Sequence, residues 1–285
     1  MQRRTLAFAL TCAICVAPVA IGDDLREAYL QIDKAKSEAG PVPQQAKALV
    51  ALAWPEEPTD PTVVWLARQQ LVEFAEDSLP ALRQAVRTVP ERYQADVVSA
   101  LLEARFLVSA SLPQVFLPAL EEALWFGSFE ARRLVIPELA AHRYRPALIT
   151  LMDTAYEYPA LTDSVTQALG LYSNDKARHF LLDVMRNGTA GQSLAAAEAL
   201  ARIGGRALGA LKTAVRDENP QARRSSIDSL LPISSINDLS LIYDFVAAPG
   251  SDEDPELLRR VTARAELLEI LLDRQQQTES ATAID

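Results

Sequence analysis

The chain has 285 residues, of which 28 are Lys or Arg and 38 are Asp or Glu, and its formal net charge is −10. Sequence-independent binding to nucleic acid and adhesion to anionic lipid both depend on positive charge, so this acidic balance argues against both. Alanine and leucine, which are strong helix formers, dominate the composition, and alternating β-branched patterns are few. We therefore expect an all-α protein.

The first 22 residues are predicted to be an export signal. Arg3 and Arg4 form a basic start, Thr5–Val16 is uncharged and apolar, and small residues precede a cleavage site before Asp23. An uncleaved membrane anchor is the alternative, but the uncharged stretch Thr5–Ile21 is shorter than the about 20 residues that span a bilayer. A twin-arginine signal is a further alternative, which the short n-region disfavours. We expect a protein of the bacterial periplasm, or a secreted one, without a stable membrane span after cleavage.

Cleavage would change both the charge and the thiol content. It removes two of the 28 basic residues and none of the 38 acidic ones, which leaves 26 − 38, a net charge of −12. It also removes Cys12 and Cys15, the two cysteines of the chain. Their C-x-x-C spacing is that of a redox motif, but no strand–helix unit surrounds it. A mature chain without thiols suits an oxidising compartment.

Helix boundaries are marked by N-cap residues, prolines and glycines. Asp60, Asn219 and Asp254 each precede a proline, Ser128, Asn174 and Ser235 are further N-cap candidates, and Gly127, Gly188 and Gly250 are predicted stops. Together with apolar periodicity, these marks predict helices over 24–38, 43–54, 61–77, 79–88, 90–106, 112–126, 129–142, 145–157, 160–172, 175–187, 190–204, 206–218, 220–233, 236–248 and 255–273.

An internal repeat organises these helices. Leu139, Leu169, Leu200 and Leu230 follow one another at intervals of 30, 31 and 30 residues. A fixed period of this length is typical of a solenoid of helix pairs, in which each pair buries its apolar stripe on its neighbours. We predict an N-terminal helical hairpin over 23–54 that caps the array, with a tetratricopeptide-like pair as the alternative. The repeat array follows over 55–273, and a disordered C-terminal tail over 274–285.

The segments 199–204, 211–217 and 219–224 resemble the short bacterial form of the HEAT repeat, which also occurs in phycobilisome-lyase-like proteins. The resemblance covers 61–248 and is strongest over 190–231. It implies a HEAT/armadillo-like, right-handed α-solenoid (superhelix) of antiparallel helix pairs. It also implies an inter-repeat ladder of aspartate and arginine, which falls by position on Asp217 and on Arg223 or Arg224. The tetratricopeptide period of 34 residues, with its Trp, Gly and Tyr markers, is not seen.

The search for catalytic chemistry gives no candidate. His142 and His179 are the two histidines, whereas a zinc site needs three or four ligands at defined spacing, so we expect surface or capping roles for both. Neighbouring carboxylates on a helix do not face each other, so Glu121 and Glu122 are expected to form a solvated face. No nucleophile elbow or phosphate-binding loop is present. We predict neither catalytic activity nor a cofactor.

The candidate binding residues follow from the expected solenoid, whose concave face is lined by second helices. Exposed side chains there would be Arg83, Arg87, Lys212 and Arg216, which are too few for a basic patch. The adjacent Trp125 and Phe126 are either a binding anchor or, as we favour, rings that pack between helices, and Trp54 and Trp65 are expected to pack likewise.

The sequence therefore predicts an exported scaffold or adaptor that binds a protein partner along an extended surface. Two alternatives stay open. One is an enzyme or cofactor-handling protein of the phycobilin-lyase type, and the other is a self-assembling structural subunit.

Overall fold

A computed structural model describes residues 21–108, 114–235, 238–240, 242–243 and 255–282. Over those residues the regular structure is helical, without a strand, which confirms the expected all-α class. The α-helices are α1 (Ile21–Ala39), α2 (Val42–Ala53), α3 (Pro61–Glu73), α4 (Leu79–Thr88), α5 (Glu91–Val108), α6 (Leu117–Phe126), α7 (Phe129–Ala141), α8 (Leu148–Glu157), α9 (Thr162–Leu169), α10 (Asp175–Asn187), α11 (Ala190–Ile203), α12 (Gly205–Ala214), α13 (Pro220–Leu230) and α14 (Pro255–Thr282).

The helices stack in two rows. The odd-numbered helices from α1 to α13 each contact the next odd-numbered helix, and we call this set the odd row. The even-numbered helices from α2 to α10 contact one another in the same way and form the even row, and α12 follows them in the chain, packed on α11 and α13. Each even-numbered helix from α2 to α12 also packs on the odd-numbered helix that follows it in the chain. This order lets each helix bury its apolar stripe on neighbours in both rows.

The repeated leucines lie at equivalent positions in the odd row. Leu139, Leu169 and Leu200 are completely buried in α7, α9 and α11, and Leu230 in α13 is 1% exposed. One period of about 30 residues therefore equals one odd–even helix pair. Full burial of a leucine contributes about 1.5–3 kcal/mol, so this repeating position stabilises each junction between pairs.

The predicted caps form, and they explain where helices begin. The N-cap side chains accept hydrogen bonds from first-turn backbone N–H groups: Asp60 from Thr62 (2.8 Å), Asn174 from Lys176 (2.8 Å), Asn219 from Gln221 (2.9 Å) and Ser128 from Ala131 (3.3 Å). Gly127 and Gly188 end α6 and α10 as predicted. Asp254, Gly250 and residues 1–20 of the predicted export signal lie outside the described residues.

Short 3-10 turns replace parts of the predicted helices. Predicted helix 61–77 divides into α3 and a 3-10 turn at Ala75–Ser78, and α8 and α9 are each preceded by such a turn, at Arg145–Ala147 and Pro159–Leu161. The last two turns contain a proline, which cannot donate the backbone hydrogen bond that a longer helix would need there. Between α11 and α12 the chain reverses at Gly204, whose φ of 69° lies in the left-handed region that favours glycine.

The ends of the chain differ from the predicted domain plan in detail. The hairpin α1–α2 packs on α3 and α4 and so continues both rows, while its capping role stays a prediction. At the other end, α14 runs to Thr282, into the segment 274–285 for which the sequence predicts disorder. After Pro255 the helix meets neither proline nor glycine, and glutamine supports a helix well, so nothing local stops it.

Candidate protein-binding surface

Two arginines of α4 and two aromatic residues of α6 lie side by side on the even row. Arg83 and Arg87 both form ion pairs with Glu122, and the Arg87 Nε lies 3.1 Å from Glu122 Oε2. The Arg87 guanidinium also lies over the Phe126 ring, 4.4 Å from its centroid. We call Arg83, Arg87, Glu122, Trp125 and Phe126 the Arg–aromatic cluster. It joins two consecutive helices of one row.

Trp125 and Phe126 are exposed, so the expectation that they pack between helices is wrong. Each is 50% exposed. The inward positions of α6 are held by smaller residues, of which Ala123 and Leu124 are completely buried. Positions 125 and 126 follow on the same turn but face away from that core, and half of each side chain stays exposed although Arg87 of α4 lies over the Phe126 ring.

Of the other two tryptophans, one is buried and one is exposed. Trp54 is 3% exposed and lies under the Arg68 guanidinium, as expected for a core residue. Trp65 in α3 is 49% exposed, so for it the packing expectation is wrong. Trp65 therefore provides an exposed tryptophan on the odd row, away from the Arg–aromatic cluster.

The adjacent carboxylates of α6 do not form the solvated face that was expected. The Glu122 side chain is only 12% exposed, because two guanidinium groups lie against it. Glu121 hydrogen-bonds Tyr144, which precedes α8. Burial, and then the charge and hydrogen bond of Glu121, raise the pKa of Tyr144 above its ordinary value. Both carboxylates thus connect α6 to its neighbours.

A buried arginine of α7 holds the end of α6 that carries the Arg–aromatic cluster. Arg132 in α7 is 7% exposed and donates from Nε to the Gly127 carbonyl (2.8 Å) and from a terminal nitrogen to the Trp125 carbonyl (2.9 Å). Its other terminal nitrogen lies 3.2 Å from Glu157 at the end of α8. The guanidinium therefore caps the C-terminus of α6, where a positive charge is favourable, and fastens the end of α8 beside it.

Gly127 makes this arrangement possible. A Cβ at this position would lie 2.3 Å from the Ala123 carbonyl oxygen and 2.9 Å from the Ala131 Cβ, closer than atoms can pack. Only glycine allows the close turn from α6 to α7, which keeps the Gly127 carbonyl within reach of Arg132.

A further exposed aromatic side chain lies on α8. Tyr156 is 65% exposed and packs edge-on against Phe180 of α10, with ring centroids 5.4 Å apart. It hydrogen-bonds Asp183, and burial, followed by the charges of Asp183 and Asp153, raises its pKa. Tyr156 therefore adds an exposed aromatic ring on α8, the helix that follows α6 in the even row.

At the positions expected for the ladder, one aspartate–arginine ion pair joins successive helix pairs, and the ladder itself stays a prediction. The Asp217 carboxylate pairs at 2.8 Å with Arg186 of the preceding helix pair. Arg223 donates instead to the Asp217 backbone carbonyl, at 2.8 Å. Arg224 lies 3.7 Å from Asp228 on its own helix. The link between successive pairs thus joins Asp217 to an arginine before it in the chain.

Lys212 and Arg216 lie at the far end of the row from the cluster. Lys212 forms an ion pair with Asp238, and this hydrogen bond holds the pKa of Asp238 below its ordinary value. Arg216 is exposed and lines an open groove of about 700 Å³ with Leu182 and Thr213. Of the predicted binding residues, the structure therefore brings Arg83 and Arg87 together on Glu122, three residues before Trp125 on α6, and leaves Lys212 and Arg216 apart.

The supporting residue Arg132 was not among the predicted site residues, although the sequence pattern carried a signal for it. Arg132, Val135, Ile136 and Leu139 stand at i, i+3, i+4 and i+7, so the arginine lies in the register of a buried stripe. Tyr144 and Tyr156 had no such signal, because their partners Glu121 and Asp183 lie on other helices.

Both histidines lie at exposed positions, as expected. His142 follows the last residue of α7 as its C-cap, and the His179 ring lies 3.4 Å from an Arg178 nitrogen. In the part of the chain that the structure describes, no three histidine, cysteine, aspartate or glutamate side chains are grouped as metal ligands. Of the helices in these ranges, none is long and apolar enough to cross a membrane.

Comparison with known proteins adds no assignment. No protein-family model matches this chain, and no curated protein matches it.

Proposed function

We propose that this protein is an exported adaptor of the HEAT type, which binds another protein through the Arg–aromatic cluster and the neighbouring face of the even row. In this proposal the helix pairs are antiparallel and wind into a right-handed solenoid, as the sequence resemblance implies. The two-row packing supports a stacked array, and the fixed helix period supports a repeat.

One observation carries the proposal: two large aromatic side chains are displayed on a supported helix end instead of being buried. Trp125 and Phe126 are half-exposed, while Arg87 covers one ring and Arg132 fixes the backbone beneath them. Tryptophan and arginine are enriched in the residues that dominate binding energy at protein interfaces. Anchors that are already held in place lose little conformational freedom on binding, which favours affinity.

The electrostatics favour a protein partner. In the Arg–aromatic cluster, two arginines are balanced by Glu122 and the adjacent Glu121, and the chain as a whole is acidic. This surface suits a partner that offers an apolar side chain to Trp125, with polar groups around it that meet the charged rim. It does not suit a phosphate backbone, which requires an excess of positive charge.

Site-specific crosslinking tests the binding surface. A photoreactive benzoylphenylalanine at position 125 should crosslink to a defined partner in the native envelope fraction, whereas the same group at position 65 should not. Position 65 is the matched control because Trp65 has nearly the same exposure, 49%, on the odd row. The double variant Trp125→Ala, Phe126→Ala should also lose capture of that partner, while Trp65→Ala retains it. Equal capture by both variants would contradict the proposal.

Export is tested separately. Residues 1–40 fused to alkaline phosphatase should give activity, which this reporter shows only outside the cytoplasm, and deletion of residues 5–16 should abolish it. A coloured or metal-containing cofactor that copurifies with the protein would instead favour the alternative of a cofactor-handling protein.

A further inference from the structure

A groove lies between α2 and α4, which pack on each other. Its volume is about 440 Å³, within the range of sites that hold small ligands. Its walls are two helical stripes with the same spacing of i, i+3, i+4 and i+7: Lys47, Val50, Ala51 and Trp54 from α2 and its C-cap, and Ala81, Gln84, Ala85 and Thr88 from α4. None of the residues of the Arg–aromatic cluster lines this groove.

The middle of the groove is apolar and is built of small residues. Ala81 and Ala85, which are 4% and 1% exposed, belong to one wall, and Val50 and Ala51 belong to the other. Alanine side chains leave room that larger residues would fill, so this part of the groove has space for an aliphatic group of a ligand. Such a group would leave water on both of its sides, which favours binding.

Two charges without partners lie along the α2 wall. Lys47 and Glu56 line the groove and are exposed, and neither side chain forms an ion pair or a hydrogen bond with another residue in the described ranges. Arg92 donates to the backbone carbonyl of Glu56, at 3.1 Å, and not to its carboxylate. Glu56 follows the C-terminus of α2, where the helix dipole is also negative, so the two ends of this wall attract groups of opposite charge.

A buried donor in the same wall also lacks a partner. Trp54 is 3% exposed, and its indole N–H has no acceptor within the part of the chain that the structure describes. Buried indole N–H groups normally donate to an acceptor. Because Trp54 lines the groove between Lys47 and Glu56, we expect this acceptor to come from a ligand that lies there.

We propose that this groove binds a free peptide of three or four residues that carries an aliphatic side chain. Its carboxylate lies at Lys47, its amino group lies at Glu56, and one of its backbone carbonyls accepts the indole N–H of Trp54. Lys47 precedes Trp54 by seven residues, about 10 Å along a helix, and three extended residues span about the same length. A fatty acid would leave Glu56 unmatched, whereas a peptide matches both charges, the donor and the apolar walls. This inference is independent of the proposed function, because the Arg–aromatic cluster lies outside the groove.

Equilibrium dialysis of the purified full chain against the tripeptide Ala-Leu-Ala tests the site. The tripeptide should bind saturably, with one peptide per chain. N-acetyl-Ala-Leu-Ala and Ala-Leu-Ala amide should each bind about tenfold more weakly or worse, because each loses one charged contact. An acetylated peptide that binds as tightly as the free one would show that the groove takes the C-terminal end of a protein, which would overturn the proposal of a free peptide. Absence of binding at millimolar peptide would overturn the site itself.

Substitutions at two exposed positions test whether the peptide lies in the groove. Lys47→Ala should weaken the binding of Ala-Leu-Ala about tenfold and abolish its preference over the amide, whereas Glu56→Gln should abolish its preference over the acetylated peptide. Lys34→Ala is the matched control, since the Lys34 side chain is 74% exposed on α1, outside the groove, and it should bind the peptide as wild type does. Trp54→Phe keeps an aromatic ring without the N–H and should weaken binding severalfold with unchanged circular dichroism. Wild-type affinity in both Lys47→Ala and Glu56→Gln would place the peptide elsewhere and refute the proposal.

Discussion

Replacement of Arg132 by alanine should destabilise the protein far more than replacement of the arginine next to it. Arg132 is 7% exposed and donates to two carbonyls at the end of α6, those of Gly127 and Trp125. Arg133 is its matched control: its side chain is 59% exposed and pairs with Glu130 on the same helix, at 2.9 Å. The two substitutions remove the same charge from adjacent positions of α7.

The expected loss in the free energy of unfolding follows from the hydrogen bonds that Arg132→Ala removes. A hydrogen bond from a charged donor contributes about 1.5–3 kcal/mol, and Arg132→Ala removes two of them that end on backbone carbonyls. The third bond adds little, because the Glu157 side chain is 65% exposed. Water replaces part of the loss at a helix end, so we expect a decrease of about 2–4 kcal/mol in the free energy of unfolding. Arg133→Ala should change it by about 0.5 kcal/mol or less.

Urea unfolding followed by far-ultraviolet circular dichroism measures both variants, and the midpoint and slope should be reported together. Arg132→Lys is an intermediate variant, because a lysine ammonium lacks the planar fork with which one guanidinium serves both carbonyls. Its unfolding midpoint should therefore lie between those of Arg132→Ala and wild type. Equal midpoints for Arg132→Ala and Arg133→Ala would refute the conclusion that this guanidinium fastens α6.

Two further predictions concern the stacking of the helix pairs. Leu200→Ala should cost about 2–5 kcal/mol in thermal or urea unfolding because Leu200 is completely buried. Leu194→Ala on the same helix, where the side chain is 37% exposed, should cost much less, and similar losses would contradict the register of α11. The Tyr172 hydroxyl donates a hydrogen bond to the Leu139 carbonyl at 3.0 Å, and burial raises the pKa of Tyr172 to about 12. The contribution of Tyr172 to stability is therefore intact below the unfolded pKa of about 10 and is lost as pH rises from there towards 12. Wild type should therefore lose more stability than Tyr172→Phe over that alkaline range, and parallel pH curves for the two proteins would contradict this reasoning.

The amino-acid sequence by itself determined the helices and their period. Caps such as Asp60 and Asn219 act on backbone N–H groups two or three residues away, so a short segment carries all the information for a helix start. The apolar stripe that contains Leu200 is equally local, because a helix brings residues three and four apart onto one face. The odd-row leucines could be found for this reason.

Only the tertiary structure decided which side chains meet on the surface. Arg83 and Glu122 are 39 residues apart, and their pairing depends on how α4 stacks on α6. The same holds for Trp125: a tryptophan near the end of a helix fits a core or a surface equally well until neighbouring helices occupy one side of α6. Arg132 binds carbonyls of the preceding helix through a turn that Gly127 keeps close. Helical periodicity fixes the direction in which a side chain leaves the axis of its helix, but the packing of distant helices determines what lies in that direction.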